Sequence, residues 1–395
     1  MSKWVDKTIG ATATAGTTPT EVVSVPETDS EETALCDLPG APGVGSENAS
    51  ITANLVIEDA SPERVLEVFA ERGWGDGLPL VAPTEERVAA MLAAGSQTQD
   101  PDEIVAILPP RQGQATRRLL AVNAVLAGCP VGLLPVLTSA VRALADPQIN
   151  LRGVNATTHP VAPLTIVHGD AVDALGFNAG LGTFGPGNRA NATLGRAIRF
   201  TMLHIAGARP GDGDASTQGQ PSKYAYCIAE NQKESPWESY PRAAGIEAAS
   251  AVTVHCGENP HNFHDMESEA PSAILDKAAS VMSTLGSNNA PVSSAEFFIV
   301  LGPEHAATIA GKGWSRRDVQ SYLYERARLT AGEFRRAFDV VQYRPWLADL
   351  RDDEPMPITD HPDQIRVLVA GGPGKHSCVI PSWGMTKSVT QPIEP

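Results

Sequence analysis

Residues 162–199 read APLTIVHGDAVDALGFNAGLGTFGPGNRANATLGRAIR, and they carry the pattern that predicts the fold. The apolar run at residues 164–167 predicts a strand, and the segment that begins near Arg189 has the apolar spacing of a helix. A glycine-rich loop separates the two. Strand, loop and helix in this order form the unit from which α/β proteins are built.

The same alternation continues along the chain, which predicts an α/β protein built of parallel β–α units. Further strands are predicted at residues 251–255, 297–301 and 366–370. Helices are predicted at residues 114–127, 133–145, 272–285 and 317–328.

Two parts of the chain repeat one order of segments. VLTSAVRALA, APLTIVHG and DAVDALGFNAG in the first part match ILDKAASVMSTLG, SAEFFIVLG and PEHAATIAGKGWS in the second. The repeat predicts an internal duplication, with equivalent loops on either side of one cleft. We divide the chain into a low-complexity arm (1–55), a helical segment (56–110) and two α/β halves (111–250 and 251–395).

The arm of residues 1–55 is rich in Thr, Ser, Pro, Gly and Glu and shows no sustained hydrophobic period. We expect it to be extended. Ordering such a segment costs about 1–2 kcal/mol per residue in backbone entropy, and contacts with a neighbouring subunit would offset that cost. The arm therefore predicts a homo-oligomer.

Composition excludes several classes of partner. The net charge of −16 disfavours binding to nucleic acid or to an anionic membrane. The uncharged stretch at residues 119–141 contains prolines and glycines, which predicts two short buried helices rather than a membrane span. The first 22 residues lack the apolar core of a secretory signal, and none of the five cysteines forms a CxxC pair. We expect a cytoplasmic protein.

The glycine-rich loop at residues 176–187 is the first candidate site. Glycines such as Gly185 and Gly187 let main-chain amides point into one concavity. A helix that starts near Asn188 or Asn191 would direct its free amides at the same place, and Arg189 could hold an anion bidentately. We predict that Gly185, Gly187, Asn188, Arg189 and Asn191 bind the substrate. The loop predicts a site for a carboxylate or phosphate. The alternative stays open that the glycines only permit close packing and that Arg189 is a structural ion-pair partner.

A second glycine-rich segment, GGPGKHSC at residues 371–378, directly follows a predicted strand. Its spacing does not match a phosphate-binding loop, but Lys375 and His376 could neutralise an anion or transfer a proton. Cys378 could act as a nucleophile if a neighbour lowered its pKa. A buried structural cysteine is the alternative.

The segment HCGENPHNFHD at residues 255–265 concentrates histidines. His255, His261 and His264 could hold a divalent metal such as zinc and leave one coordination position for water. In an alternative hypothesis, His261 orients a substrate or transfers a proton. Upstream, a long polar loop contains Lys223 and Tyr224, which we predict as further substrate-binding residues.

Several segments together resemble a bacterial family of uncharacterised proteins that are often encoded beside UGSC-type proteins, which carry a selenocysteine or a cysteine. The resemblance covers about residues 61–395. It rests on GWGDGLPLVAPTEERV, ATTHPVAPLTIVHG, GPGNRANATLGRAIR, GQPSKYAYCIAEN and LGPEHAATIA. It implies that the chain could be one subunit of a two-component enzyme, with the reactive selenol or thiol on a small UGSC-type partner.

Taken together, the residues predict an enzyme or enzyme subunit that binds a small anionic organic substrate between the two glycine-rich loops. Asn188 and Arg189 would hold the anion, and Lys375, His376 and His261 would transfer protons. The reaction stays open between a lyase, a hydrolase and a reductase component. Two alternatives are a metal-dependent enzyme and a non-catalytic subunit that positions a partner.

Overall fold

The computed structural model describes residues 21–27, 51–57, 61–95, 99–292, 294–338 and 349–394. Within the predicted arm, strand β1 (Glu21–Glu27) pairs antiparallel with β2 (Ile51–Ile57). The rest of the arm lies outside the described residues.

Helices and strands alternate over the remaining described residues. Helices α1 to α12 are Pro62–Glu71, Glu85–Gly95, Arg117–Ala127, Leu134–Ala145, Leu151–Ala156, Ala171–Ala174, Arg189–Thr201, Tyr240–Ala243, Pro271–Met282, Pro303–Gly311, Arg316–Arg326 and Ala331–Ala337. Strands β3 to β16 are Ile104–Leu108, Gly113–Thr116, Ala162–Gly169, Arg209–Pro210, Gly213–Asp214, Cys227–Ala229, Ser250–Gly257, His261–His264, Phe297–Leu301, Arg328–Thr330, Pro355–Pro357, Ile365–Val369, His376–Pro381 and Val389–Pro392. The α/β class is confirmed.

Two four-stranded sheets form the centre of the molecule and share one pattern. The first has the order β16–β9–β5–β8, and the second has the order β10–β15–β11–β14. In each sheet the last pair is parallel and the other pairs are antiparallel. Strand β10 follows β9 along the chain but lies in the second sheet, and β16 follows β15 but lies in the first. The two halves therefore match in topology and exchange one strand each.

The pairing is mixed, whereas the sequence predicted parallel β–α units. In the two central sheets each parallel pair is joined by a helical crossover, through α7 between β5 and β8 and through α11 between β11 and β14. Strand β15 is reached through a short loop and runs antiparallel to β11. The boundary that we placed between residues 250 and 251 falls at the start of β9, which belongs to the first sheet.

The inner faces of the two sheets pack against each other. Leu164 and Ile166 of β5 share a buried cluster with Phe298 and Val300 of β11. Apolar side chains of α3, α4 and α7 cover the outer face of the first sheet, and those of α9, α10 and α11 cover the outer face of the second. The order of layers is therefore helix, sheet, sheet and helix.

The uncharged stretch at residues 119–141 forms two helices, as predicted. Helix α3 ends where Gly128 adopts a left-handed conformation, and α4 begins at Leu134. Over the described part of the chain, every helix is too short or too polar to cross a bilayer.

Candidate functional site

The carboxyl ends of parallel strands from the two sheets meet at Asn231. This residue follows β8, and its main-chain nitrogen donates to the carbonyl of Val369 at the end of β14, 2.8 Å away. Its side-chain amide donates to the carbonyl of Gly371 at 3.0 Å. In α/β proteins, ligands lie outside the carboxyl ends of the parallel strands. This end of the two sheets is therefore the first place to look for a site.

Here the structure brings together the two glycine-rich loops, residues 176–187 and 371–375. The nitrogen of Gly371 donates to the carbonyl of Ala179 at 2.8 Å. A Cβ atom on Gly372 would overlap Leu181 Cγ and would lie 2.9 Å from the Leu181 nitrogen. We call these two loops together with Asn231 the loop junction.

Asn191, a predicted substrate contact, instead holds the first loop in shape. Its Oδ1 accepts from the nitrogen of Asn178 at 2.8 Å, and its Nδ2 donates to the Asn178 carbonyl at 2.9 Å. The side chain is buried. With both ends engaged, Asn191 is a support of the loop and offers nothing to a ligand.

The start of α7 is capped by its own residues. Asn188 Oδ1 accepts from the nitrogen of Asn191 at 2.9 Å, and its Nδ2 donates to the carbonyl of Gly176 at 2.9 Å. Asn188 is thus a helix cap. The Nε of Arg189 donates to the carbonyl of Gly128 at 2.9 Å, at the carboxyl end of α3. Its two terminal nitrogens contact no hydrogen-bond partner among the described residues, and the side chain is exposed.

Several main-chain amides of the first loop are available to a ligand. The nitrogens of Leu181, Gly182, Phe184 and Gly187 make no hydrogen bond to any residue that the structure describes, and all four residues are exposed. The nitrogen of Gly185 is engaged, because it donates to the Gly182 carbonyl at 2.7 Å. Of the two glycines that we predicted, only Gly187 offers a free amide.

The second loop carries two cationic or titratable side chains. Lys375 is half-buried, and its Nζ donates to the carbonyl of Met266 at 3.0 Å. His376 is exposed, and its Nδ1 lies 3.0 Å from Oδ1 of Asn262. In the same loop, the nitrogen of Gly374 donates to Glu304 at 2.6 Å. Lys375 therefore brings a positive charge without a carboxylate partner among the described residues.

The three histidines of the metal hypothesis are not brought together. His255 is fully buried on β9 in the first sheet, with its ring 4.7 Å from that of Phe298. His261 and His264 are exposed on β10 in the second sheet. Within the described ranges, no three His, Cys, Asp or Glu side chains are placed to hold a metal ion. The chain crosses between sheets after His255, and this separates His255 from His261 and His264.

Lys223 is paired within the protein and Tyr224 is exposed. Lys223 Nζ donates to Oδ2 of Asp214 at 2.6 Å, and Arg199 lies 3.6 Å from the same carboxylate. Burial lowers the pKa of Lys223, and the nearby Asp214 carboxylate opposes that shift. Lys223 therefore holds the polar loop against Asp214. Its ammonium group is engaged in this ion pair and does not point to a substrate.

A chain of buried polar groups lies between the sheets, and sequence reasoning missed most of it. His168 Nδ1 lies 2.7 Å from Oε2 of Glu230, and His168 Nε2 lies 2.8 Å from Oγ1 of Thr253. That hydroxyl lies 2.8 Å from the hydroxyl of Thr390. Glu230 Oε1 also accepts from the nitrogen of Tyr240 at 2.9 Å. Glu230 immediately precedes Asn231, so this network reaches the loop junction.

Beside the second sheet, a histidine contacts a serine hydroxyl. His305 on α10 has its Nδ1 2.7 Å from Oγ of Ser377, and the nitrogen of Gly302 donates to the same hydroxyl at 2.9 Å. Burial lowers the pKa of His305. The partner of this histidine is neutral, whereas His168 faces a carboxylate.

Strand periodicity could have revealed part of this network. In strands β5 and β9 the side chains at alternate positions point to the same face, and His168, Thr253 and His255 fall on the inner face of otherwise apolar strands. A polar side chain at a buried position needs a partner. The sequence cannot name that partner, because 62 residues separate His168 from Glu230.

A polar groove of about 490 Å³ adjoins the same end of the first sheet. One wall is tied to the end of β5, since the nitrogen of Asp170 donates to the Ala249 carbonyl at 3.0 Å. The predicted site residues do not line this groove. Its lining consists of Gln232, Glu238, Ser239, Arg242, Ile246, Glu247, Ala248 and Ala249.

The four cysteines that the structure describes are buried, and Cys36 lies outside the described residues. Burial raises the pKa of Cys378 to about 12, and those of Cys129 and Cys256 to the same value. A thiol with so high a pKa is protonated at neutral pH and is a poor nucleophile. The structure therefore gives no support to Cys378 as a nucleophile.

Comparison with known proteins assigns neither a family nor a function to the chain. No model of a protein family matches the chain. A search of curated proteins finds no match either. Function has to be argued from the geometry of the site itself.

Proposed function

We propose that the chain is an enzyme or enzyme subunit that binds a small anionic organic molecule at the loop junction. The observation that carries the proposal is the set of four exposed amides, at Leu181, Gly182, Phe184 and Gly187, that lack a partner within the described protein. They lie on a loop held in shape from inside by Asn191 and fixed to the second glycine-rich loop through Gly371.

An anion suits this place for electrostatic reasons. Successive main-chain amides form a concavity of positive partial charge, and the start of α7 adds the positive end of its dipole. Arg189 adds two free terminal nitrogens and Lys375 adds an ammonium group. Because the net charge of −16 repels anions at long range, recognition must be local, as it is in a cluster of amides.

Proton transfer is the chemistry that the adjoining side chains support. His376 is exposed, and within the described part of the chain only its Nδ1 has a hydrogen-bond partner, Asn262. Imidazole transfers protons near neutral pH, and a lysine ammonium nearby stabilises developing negative charge. His261 lies exposed on the edge strand β10 and is a second candidate for this role.

The proposal is tested by calorimetric titration of the full chain with inorganic phosphate, acetate and succinate. We expect at least one of them to bind, and we expect Arg189→Ala and Lys375→Ala each to weaken its binding about tenfold, the loss of one charge-assisted hydrogen bond. Lys312→Ala removes an exposed lysine at the end of α10 and serves as the matched control. If both site variants bind as the parent does, or if no anion binds the parent, the proposal is wrong.

A further inference from the structure

Two exposed histidines face each other across neighbouring strands of the second sheet. His264 is the last residue of β10 and His376 is the first residue of β15, and the antiparallel register places them directly opposite each other. Side chains at directly opposite positions lie on the same face of a sheet, with their Cβ atoms about 4.5–5.5 Å apart. The centres of the two imidazole rings are 5.6 Å apart. The fold therefore forms a histidine pair from two segments that are far apart in the chain.

The ring of His376 is oriented by a neighbour on the other strand. Its Nδ1 lies 3.0 Å from Oδ1 of Asn262. An amide oxygen only accepts hydrogen bonds, so Nδ1 carries the proton and Nε2 keeps a free lone pair. A hydrogen bond of this kind fixes the ring and the tautomer of metal-binding histidines. The ring of His264 is exposed and makes no hydrogen bond within the described part of the protein, so it is free to turn.

The separation of the two rings matches the geometry of a shared metal ion. With zinc-to-nitrogen bonds of about 2.0–2.1 Å and tetrahedral angles, the centres of two ligating imidazole rings lie about 5 Å apart. The observed 5.6 Å differs from this by less than 1 Å. Small rotations of two exposed side chains are enough to direct one nitrogen of each ring at a common point. The backbone need not move, because the paired strands already hold both residues.

We propose that His264 and His376 bind one divalent transition-metal ion of the zinc class, with water in the remaining coordination positions. Imidazole nitrogen suits zinc, copper and nickel, whereas magnesium and calcium take oxygen ligands. The net charge of −16 favours the approach of a cation. Two protein ligands are fewer than the four of a structural zinc site, so the ion should exchange with solvent and leave coordination positions open.

The site adjoins the loop junction, because His376 directly follows Lys375. An ion on Nε2 of His376 occupies the lone pair that would otherwise accept a proton. In the metal-loaded protein, His261 then remains as the candidate for proton transfer. Metal binding does not require an anion at the loop junction, so either proposal can fail without the other.

Calorimetric titration of the full chain with zinc chloride, without any added organic anion, tests the site. We expect saturable binding of Zn²⁺ and no binding of Mg²⁺ under the same conditions. His264→Gln and His376→Gln should each weaken the binding of Zn²⁺ at least tenfold, because each removes one of the two protein ligands. Both positions are exposed, so the variants should fold as the parent does.

His261→Gln is the matched control. It removes an exposed histidine from the same strand, but His261 lies opposite Val379 and has no histidine across from it. This variant should keep the affinity of the parent for Zn²⁺. The proposal is overturned if the parent does not bind Zn²⁺, or if either His264→Gln or His376→Gln binds it as tightly as the parent. An equal loss of affinity in His261→Gln would also overturn it, since the ion would then depend on a different set of histidines.

Discussion

The two sheets share strand order and direction but differ in the chemistry at the ends of their parallel strands. In the first, His168 faces the carboxylate of Glu230 and continues through the hydroxyls of Thr253 and Thr390. In the second, His305 lies between the hydroxyl of Ser377 and the main-chain carbonyl of Asp265. One backbone plan thus holds a histidine–carboxylate network in one half and a histidine–hydroxyl contact in the other.

This difference shows which residues can differ between two sheets of the same topology. The apolar faces must stay complementary, since Leu164 and Ile166 pack against Phe298 and Val300. The residues at strand ends are constrained only by their own partners. We therefore expect the loss of Glu230 in the first half to cost more than the loss of the matching Ser377 in the second.

The largest effect is expected from Glu230→Ala. The change leaves His168 and the nitrogen of Tyr240 buried without their partner, so it should lower the free energy of unfolding by about 3–5 kcal/mol. Ser377→Ala leaves Nδ1 of His305 and the nitrogen of Gly302 without their partner and should cost about 1–3 kcal/mol. Urea unfolding of both variants measures the two costs.

Asp173→Ala provides the control for this pair. Asp173 forms an exposed ion pair with Lys233, and its loss should change the free energy by about 0.5 kcal/mol or less. If Ser377→Ala costs as much as Glu230→Ala, the contrast between the two halves is wrong.

A pH effect of intermediate size is expected from His255. Burial lowers its pKa from 6.5 to about 4 in the folded protein. The unfolded chain therefore binds the proton more readily, so stability is fully present above pH 6.5 and falls as the pH falls toward 4. One pKa unit corresponds to 1.36 kcal/mol, so the histidine should cost up to about 3 kcal/mol by pH 4.

Urea unfolding at several pH values checks this contribution. His255→Phe removes the titrating group and should make stability less dependent on pH in that window, while His264→Gln, on the exposed face of β10, should leave the dependence unchanged. Equal pH dependence in the parent and in His255→Phe would contradict the assignment.

The smallest effect is expected at the contact between the halves. Gly372→Ala places a Cβ against Leu181 and should lower the free energy of unfolding by about 1–3 kcal/mol, as overpacking does. Gly286→Ala is the matched control, because a Cβ there meets no atom within 4 Å. Thermal unfolding compares the two. A loss in Gly286→Ala as large as in Gly372→Ala would show that the junction is not tightly packed.

The sequence predicts the long, strongly patterned elements best. Strand β11 was placed at residues 297–301, as found, because five apolar residues in a row stand between polar segments. The helix predicted from residue 114 begins at Arg117, since Gly113–Thr116 pairs with β3 instead. Strand β15 was missed because its first residues, His376 and Ser377, read as part of a polar loop.

Much less of the candidate site could be predicted. Glycine spacing located the loop at residues 176–187. It could not show that the side-chain amide of Asn191 would be hydrogen-bonded within that loop. The partner of Lys223 is Asp214, and spacing alone does not distinguish that ion pair from a free ligand contact. Long-range pairing decides which polar groups remain available, and pairing depends on the finished fold.

The exchange of β10 and β16 has a consequence for how the molecule can be divided. Removing residues 389–392 takes an edge strand from the sheet whose central strands lie more than a hundred positions earlier. The backbone of β9 would then present unpaired groups to solvent, which invites association with other chains. Neither half is a self-contained unit, so β16 must be synthesised before the first sheet can close.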